Sequence, residues 1–581
     1  MTAQTATPAP VHSPDEPAVD TAPPRPERAG AGVAPALIVA VVLLLGLSVG
    51  RVDLTVIGGA GLAPLLPVTI WAAAACAALA CAVEGLRSTP RTAVLTATTG
   101  ALIAATTGVN SLVEGAARIP AAWVHSGFVS TIIDRGLLPA GVDARLGWAG
   151  FFAQWAWIGG ASGTTDLDAV LRWAPPVIVA VWAAGVLTIA RSLLGGRTRT
   201  AWAATWLFCG INWIEQDYFS PQATAIVMSL AAFSLVLGPL ATRGRTGPAP
   251  DPRQVVLVWA VASIALVAVV VVHQLTPFAL IAQLGILVLF RRFRGWWLVA
   301  LLVVAEATWF VVAARDSWIA QLGLVTGEAG NVGQSLVAAL FGRLEGDPGQ
   351  LAVKAGRLAL AASTWGLALA GAWIRFRRER DVVVVLLAAV PAGLVLVQSY
   401  GGEMLLRVVL YGLPFLAVLG AEALGAFARR WWRLARIVLP LGLVGLAVLL
   451  IALRGGNDAY VSVTPAELAT TRSVLAAAPP GAVVLPLANA GPFGVSRAAD
   501  VRQVSNSSEC EELANDPVGC AEQQTADVIL VLPSMDAAGV ALEGRPPGWT
   551  VAAVDQLVAT TRYRVAVREG LTAVVVRAVP R

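Results

Sequence analysis

The sequence predicts a polytopic, mainly α-helical membrane bundle that carries a small α/β domain at its C-terminal end, and three observations support this. Of 581 residues, 57% are hydrophobic and only 13% charged, with a mean hydropathy of +0.72; soluble domains carry roughly a quarter charged residues. Apolar runs long enough, or nearly so, to cross a hydrocarbon layer about 30 Å thick recur along residues 33–454. Arginine clusters then fall on one side of the layer if the runs simply alternate, as the positive-inside rule requires. The net charge of +5 lies mostly in those clusters, where it orients helices, so the composition argues against a nucleic-acid partner.

Residues 1–32 are rich in Pro, Ala, Thr and charge and contain no apolar stretch. They cannot bury enough surface to offset the entropy of ordering and are expected to form a disordered cytoplasmic tail. Expected spans follow at 32–50, 62–84, 92–109, 173–190, 200–214, 222–241, 254–272, 276–290, 296–314, 355–374, 381–399, 405–425 and 436–453, about thirteen in all. The basic clusters at Arg87/Arg91, Arg191/Arg197/Arg199, Arg243/Arg245/Arg253, Arg291/Arg292/Arg294, Arg375/Arg377/Arg378/Arg380 and Arg429/Arg430/Arg433/Arg436 share one face. That face is cytoplasmic by the same rule. The transmembrane domain is thus 33–454, with a large outer loop at 110–172. Residues 455–581 change to a soluble pattern, in which Thr464 and Pro465 open a helix and GAVVLPLA, ADVILVLP, YRVAVRE and LTAVVVRAV read as strands. This extracytoplasmic domain contains no histidine, so substrate binding, partner contact or shielding is expected of it rather than catalysis. Cys510 and Cys520 flank a polar stretch there and are expected to form a disulfide in an oxidising compartment. Cys76, Cys81 and Cys209 lie inside apolar runs, as small buried side chains do.

Ionisable side chains gather at the outer ends of the spans. The loop from Ser111 holds Glu114, Arg118, His125, Asp143 and Arg145; later connections add Glu215, Asp217 and Tyr218, then His273 and Gln274, then Glu403 and Arg407. Polar groups at span ends that point into a bundle are functional candidates. Each also has a plainer explanation. Glu114 and Arg118 are four apart and suit an ion pair on one helix face; His125 and His273 suit interfacial histidines with satisfied hydrogen bonds; Asp217 suits a helix cap. Arg407 suits a pair with Glu403 as well as a ligand phosphate. Asp166 and Asp168 form a D-x-D, a weak signal that leaves the metal unknown and a divalent ion only an option.

The stretches EGAARIPAAWVHSGFVSTIIDRG, DARLGWAGFFA, NWIEQDYFSPQA, HQLTP and GGEMLLRVVLYGLPF resemble motifs of actinobacterial membrane proteins related to the GT-C superfamily of integral membrane glycosyltransferases. The resemblance covers roughly residues 92–425. It implies a GT-C-like bundle that transfers a sugar from a polyprenyl-phosphate donor to a glycan or glycolipid acceptor of the cell envelope, on the outer face of the plasma membrane. The family's acceptor-activating acid would be Glu114, where an aspartate is commoner, with Asp217 as a second catalytic acid. Arg118, His125, Asp143, Arg145, Tyr218, His273, Gln274, Glu403 and Arg407 would bind substrates, and membrane lipids and the lipid-linked sugar would be the partners. A transporter would show internal repeats and ionisable groups near mid-membrane, and no convincing repeat is found; a lipid-linked polymer ligase or polymerase would share the outer-face site.

Overall fold

A computed structural model describes residues 32–139, 142–242, 251–320, 347–396, 404–504 and 515–578. Every expected span carries a helix, but helix length divides them into two groups. Val68–Gly85, Asp168–Leu193, Pro252–Val272, Pro348–Glu379, Met404–Arg430 and the helix entered at Trp432 are long and apolar enough to cross a membrane, six among the described residues. Val33–Gly46, Thr92–Ala105, Thr198–Ile211 and Thr276–Leu289 have 14 residues, and Pro221–Leu237 and Trp296–Val312 have 17. At 1.5 Å per residue these reach only about 21 to 26 Å, so helix length alone does not support about thirteen full spans. The expected span at 381–399 is a helix over Val383–Ala389 followed by a 3-10 segment over Val390–Leu396, with its last residues outside the described set.

The bundle is built around Met404–Arg430, the most buried of the six, which packs against Pro348–Glu379, Thr198–Ile211 and Val383–Ala389. Glycines make these approaches possible. A Cβ on Gly371 would lie 1.8 Å from the Leu419 carbonyl oxygen, and one on Gly412 would lie 2.6 Å from that of Ala388. At the arginine-rich end, several of the expected orienting arginines are in fact paired with buried acids. Glu84 accepts from Arg91 (2.7 Å), Asp381 from Arg292 and Arg375 (2.8 Å each), and Glu422 from Arg197 and Arg375. Buried ions persist only when paired in this way.

The stretch 110–172 is a folded unit rather than a plain connector. It contains helices Gly108–Val113, Pro120–Arg135 and Gly150–Ser162 and a 3-10 turn over Ala144–Trp148, and the next long helix already begins at Asp168. Trp123, Phe128, Phe151 and Phe152 are all buried in the same core as the bundle, which explains how tryptophans and phenylalanines can alternate with charges in this stretch. Asp166 accepts from the Asp168 backbone N–H, and Asp168 pairs with Arg472, so the D-x-D is used for a turn and a tie to the C-terminal domain.

In that domain, helix Pro465–Ala477 opens on a capping box between Thr464 and Glu467. The sheet has the order β2-β1-β3-β5-β4, with β1 Val483–Pro486, β2 Arg502–Gln503, β3 Val528–Val531, β4 Tyr563–Glu569 and β5 Thr572–Arg577. The first three strands are parallel, and β3, β5 and β4 run antiparallel to one another in turn. Cys520 is disulfide-bonded; Cys510, its expected partner, lies outside the described residues.

The domain does not stand apart from the bundle, since Val463, Leu468, Val484, Val495 and Val501 share the bundle's core. Its segment around Gly494 (φ +74°) lies on helix Pro120–Arg135, so close that a Cβ on Gly127 would sit 1.8 Å from the Gly494 carbonyl oxygen. No rotamer change relieves a clash with backbone. Gly127→Ala is therefore expected to cost about 1 to 3 kcal/mol, visible as a lower unfolding temperature; an unchanged transition would mean that this segment is not held against the helix.

Candidate active site

A cavity of about 1250 Å³ opens at the end of the bundle opposite the arginine clusters. Its walls are helix Pro120–Arg135, the turn Ile214–Tyr218, the start of Met404–Arg430, the segment Asn457–Val461 and the C-terminal strap from Asn489 to Gln503. Known small-molecule sites run roughly from 300 to 1,000 Å³, so this space suits a bulky ligand or two ligands side by side. Asp143, Arg145, Glu215, Tyr218 and Arg407 all line it. Three separate connections thus converge on one space.

Behind the wall lies a buried ionic cluster centred on Arg118. Its Nη1 donates to Glu215 Oε1 at 2.5 Å, its Nη2 to the Arg454 carbonyl at 3.1 Å, and its Nε pairs with Asp458. Glu114 Oε1 lies 4.0 Å from the same Nε. Asn110 Nδ2 bridges Glu114 Oε1 (3.0 Å) and Asp458 Oδ2 (2.5 Å). Three carboxylates therefore face one guanidinium, helped by Arg357, which reaches Glu215 at 3.5 Å and donates to Asn457 at 2.7 Å. Glu215 has φ +61°, a left-handed conformation unusual for a residue with a side chain. Its carboxylate accepts from Arg118, Arg357 and Asn457, and these contacts hold the strained turn in place.

Glu114 and Asp458 are each 1% exposed. Burial pushes both carboxyl groups up, against the pull of Arg118 and Asn110, and Asp458 is raised further than an isolated aspartate would be by the neighbouring Glu114 and Glu215 charges. A crevice of about 20 Å³ lies beside Glu114, lined also by Arg118, Ile119 and Tyr218. Ile119 and Tyr218 line the large cavity as well, so the crevice adjoins it. It has room for one water or hydroxyl group.

Asp217 is not at a helix cap. It receives both terminal nitrogens of Arg454, at 2.9 and 3.0 Å, and is 1% exposed; Ser220 caps the following helix instead. The pair ties the Asn212–Ser220 turn to the end of the helix entered at Trp432. Asp143 and Arg145 pair with each other at 2.7 Å on the cavity wall. Burial would raise the Asp143 carboxyl, but the Arg145 side chain and backbone N–H hold it below the usual aspartate range, so it is ionised. The Arg145 guanidinium also lies 5.2 Å over the Phe128 ring.

Both candidate histidines are neutral. Burial, then the Arg145 charge, lowers His125 to about 3. Its Nδ1 lies 2.9 Å from the Phe219 carbonyl, so that nitrogen carries the hydrogen, and its ring lies parallel to Tyr218 at a 6.0 Å centroid distance. His125 therefore positions Tyr218 from behind. Burial, then Arg407, lowers His273 to about 3. Its Nδ1 accepts backbone N–H groups of Thr276 (3.2 Å) and Leu275 (3.4 Å), which leaves the hydrogen on Nε2. Thr276 Oγ1 continues to Tyr411 at 3.1 Å, one turn after Arg407 on the same helix. Gln274 lies half-buried in the same turn as His273. Glu403 is outside the described residues, and with it the expected pair with Arg407. No group of three or more His, Cys, Asp or Glu suited to a metal ion occurs among the described residues.

No family model and no curated protein sequence matches this chain. Among solved structures it is similar to the Archaeoglobus fulgidus oligosaccharyltransferase in the apo form, with a TM-score of 0.48 and 12% identity, over 78% of this chain and 71% of that one. It is also similar to the same enzyme tethered through a disulfide bond to an acceptor peptide containing the NVT sequon, with a TM-score of 0.45 and 13% identity, over 85% and 72% of the two chains. At TM-scores below one half, the likeness assigns no residue and no activity.

The residues that reasoning from sequence missed are Asn110, Arg357, Arg454, Asn457, Asp458 and Tyr460. Arg357 offered a signal, since it stands inside an apolar run and an unpaired cation there is costly. Arg454 and Asp458 flank Gly455, where the composition turns soluble, and resemble an ordinary span end.

Proposed function

We propose that this chain is a membrane glycosyltransferase that moves a sugar from a polyprenyl-phosphate donor to an acceptor hydroxyl of the cell envelope, on the outer face. The observation that carries the reading is the large cavity at the end of an apolar bundle with Arg407 on its wall and Glu114 behind that wall, beside an adjoining crevice the size of one hydroxyl. Glu114 takes the acceptor O–H proton, directly or through one water. The acceptor oxygen bonds to the anomeric carbon as that carbon's bond to phosphate breaks, and the polyprenyl phosphate leaves with the electron pair. Arg407, on the cavity wall, donates to the phosphate as its charge develops, with His273 near it but outside the cavity's lining. Burial raises the basicity of Glu114 and Arg118 tempers the rise, and Asp217 with Arg454 holds the turn that carries Glu215 and Tyr218.

Purified protein incubated with radiolabelled polyprenyl-phosphate sugars and envelope glycan should transfer label, and Arg407→Ala should weaken donor binding by about 10-fold or more. Failure of every lipid-linked sugar to transfer would remove the reading. A base raised by burial also sets the pH profile. Glu114 works only when ionised, so turnover should fall as pH drops through its folded pKa, with the acid limb above the ordinary glutamate value of 4.5. A limb at or below that value would point to a different base.

A further inference from the structure

A second hollow, of about 710 Å³, lies toward the arginine-rich end, between helices Val68–Gly85, Thr198–Ile211, Pro348–Glu379, Met404–Arg430 and Trp432–Gly455. It runs from Ile211 at its inner end to Arg199, Arg429 and Arg436 at its mouth. From Arg199 to Ile211 that is about 18 Å along one helix. Its walls are mostly leucine, alanine and glycine, and no Asp or Glu lines it among the described residues.

What marks the mouth is that its guanidiniums stand over an apolar slot. Arg91, Arg197, Arg292 and Arg375 are paired with the buried acids Glu84, Glu422 and Asp381. Arg429 and Arg436 are exposed, and neither is in an ion pair among the described residues. The Arg436 guanidinium lies 4.5 Å over the Trp432 ring, which is itself 52% exposed. Arg199 is fixed beside them by donating to the Ser88 carbonyl at 2.6 Å. An apolar slot under exposed guanidiniums and an interfacial tryptophan matches an amphiphile with a long hydrocarbon chain and an anionic head. A zwitterionic lipid would match the slot but not the charge.

We propose that this groove holds an acyl chain of an anionic phospholipid whose phosphate sits between Arg429 and Arg436. The site is separate from the cavity at the other end of the bundle and stands whether or not the chain transfers sugars. The full-length protein, equilibrated with vesicles of equal phosphatidylglycerol and phosphatidylcholine and examined by native mass spectrometry, should retain phosphatidylglycerol about 10-fold over phosphatidylcholine. Arg429→Ala with Arg436→Ala should remove that preference, whereas Arg377→Ala with Arg380→Ala, which leaves the groove untouched, should keep it. Gly442→Phe should expel the lipid with the arginines intact, because Gly442 lines the groove and a Cβ there meets nothing within 4 Å. Equal retention of the two lipids by the unaltered protein would overturn the proposal. So would a preference that survives the Arg429/Arg436 change, or one lost equally in the Arg377/Arg380 pair.

Discussion

Glu114→Gln is expected to lower turnover by about 100-fold or more while donor binding survives. The substitution keeps the side chain's volume and the oxygen that accepts from Asn110 at 3.0 Å, and removes only the ability to take a proton. Glu114 is chosen over the carboxylates that line the cavity itself because of their environments. Asp143 is held low by Arg145 and is a weak base, Glu215 has its carboxylate engaged by Arg118, Arg357 and Asn457, and Asp500 and Glu543 pair with Arg135 and Arg545. Glu114 is pushed up by burial, toward the range in which a carboxylate is both ionised and basic enough to accept a proton. The competing account makes Glu114 a member of an ionic cluster with no part in the chemistry. On that account Glu114→Gln shifts the unfolding temperature and leaves turnover of the folded protein unchanged, and that result would remove the catalytic assignment.

How much of this was legible in the sequence depended on whether an interaction was local. The membrane bundle followed from apolar runs, and the helix at Pro465 followed from Thr464 and Glu467, three residues apart. Tyr218, Arg407, Asp143 and Arg145, from three separate connections, line one cavity. The ionic cluster was illegible because its members are far apart in sequence: Arg118 meets Glu215 across 97 residues, Arg454 meets Asp217 across 237, and Arg118 meets Asp458 across more still. The i,i+4 pair that the sequence did offer, Glu114 with Arg118, is the loosest contact of the set at 4.0 Å, because helix Gly108–Val113 ends before Glu114 and the two residues share no helix. The same reason displaced Asp217 from the helix cap. A partner at the end of a distant helix, Arg454, outcompetes a local backbone amide for a buried carboxylate because a charged donor neutralises it and an amide does not.

Arg118→Met is expected to be the most destabilising single change in the cluster, by about 3 to 5 kcal/mol. Arg118 is 7% exposed, and its guanidinium is shared by Glu215, Asp458 and, more distantly, Glu114. Methionine fills much the same space, so the loss is one of charge rather than of packing. Without the cation, nearly buried carboxylates are left beside one another. Some protonate, which relieves repulsion but abandons the hydrogen bond that holds the left-handed turn at Glu215, and with it the cavity wall at Tyr218. Arg357 remains within 3.5 Å of Glu215 and limits the damage there, whereas Asp458 loses its cation and keeps its contact with Asn110. Adding Asp458→Asn to Arg118→Met should therefore restore part of the stability, because it removes the carboxylate that has lost most. Thermal unfolding of both variants in detergent tests this. An Arg118→Met protein as stable as the unaltered chain would show that the cluster is not closed to solvent, and a double variant no better than the single would show that the penalty lies with Glu215 alone.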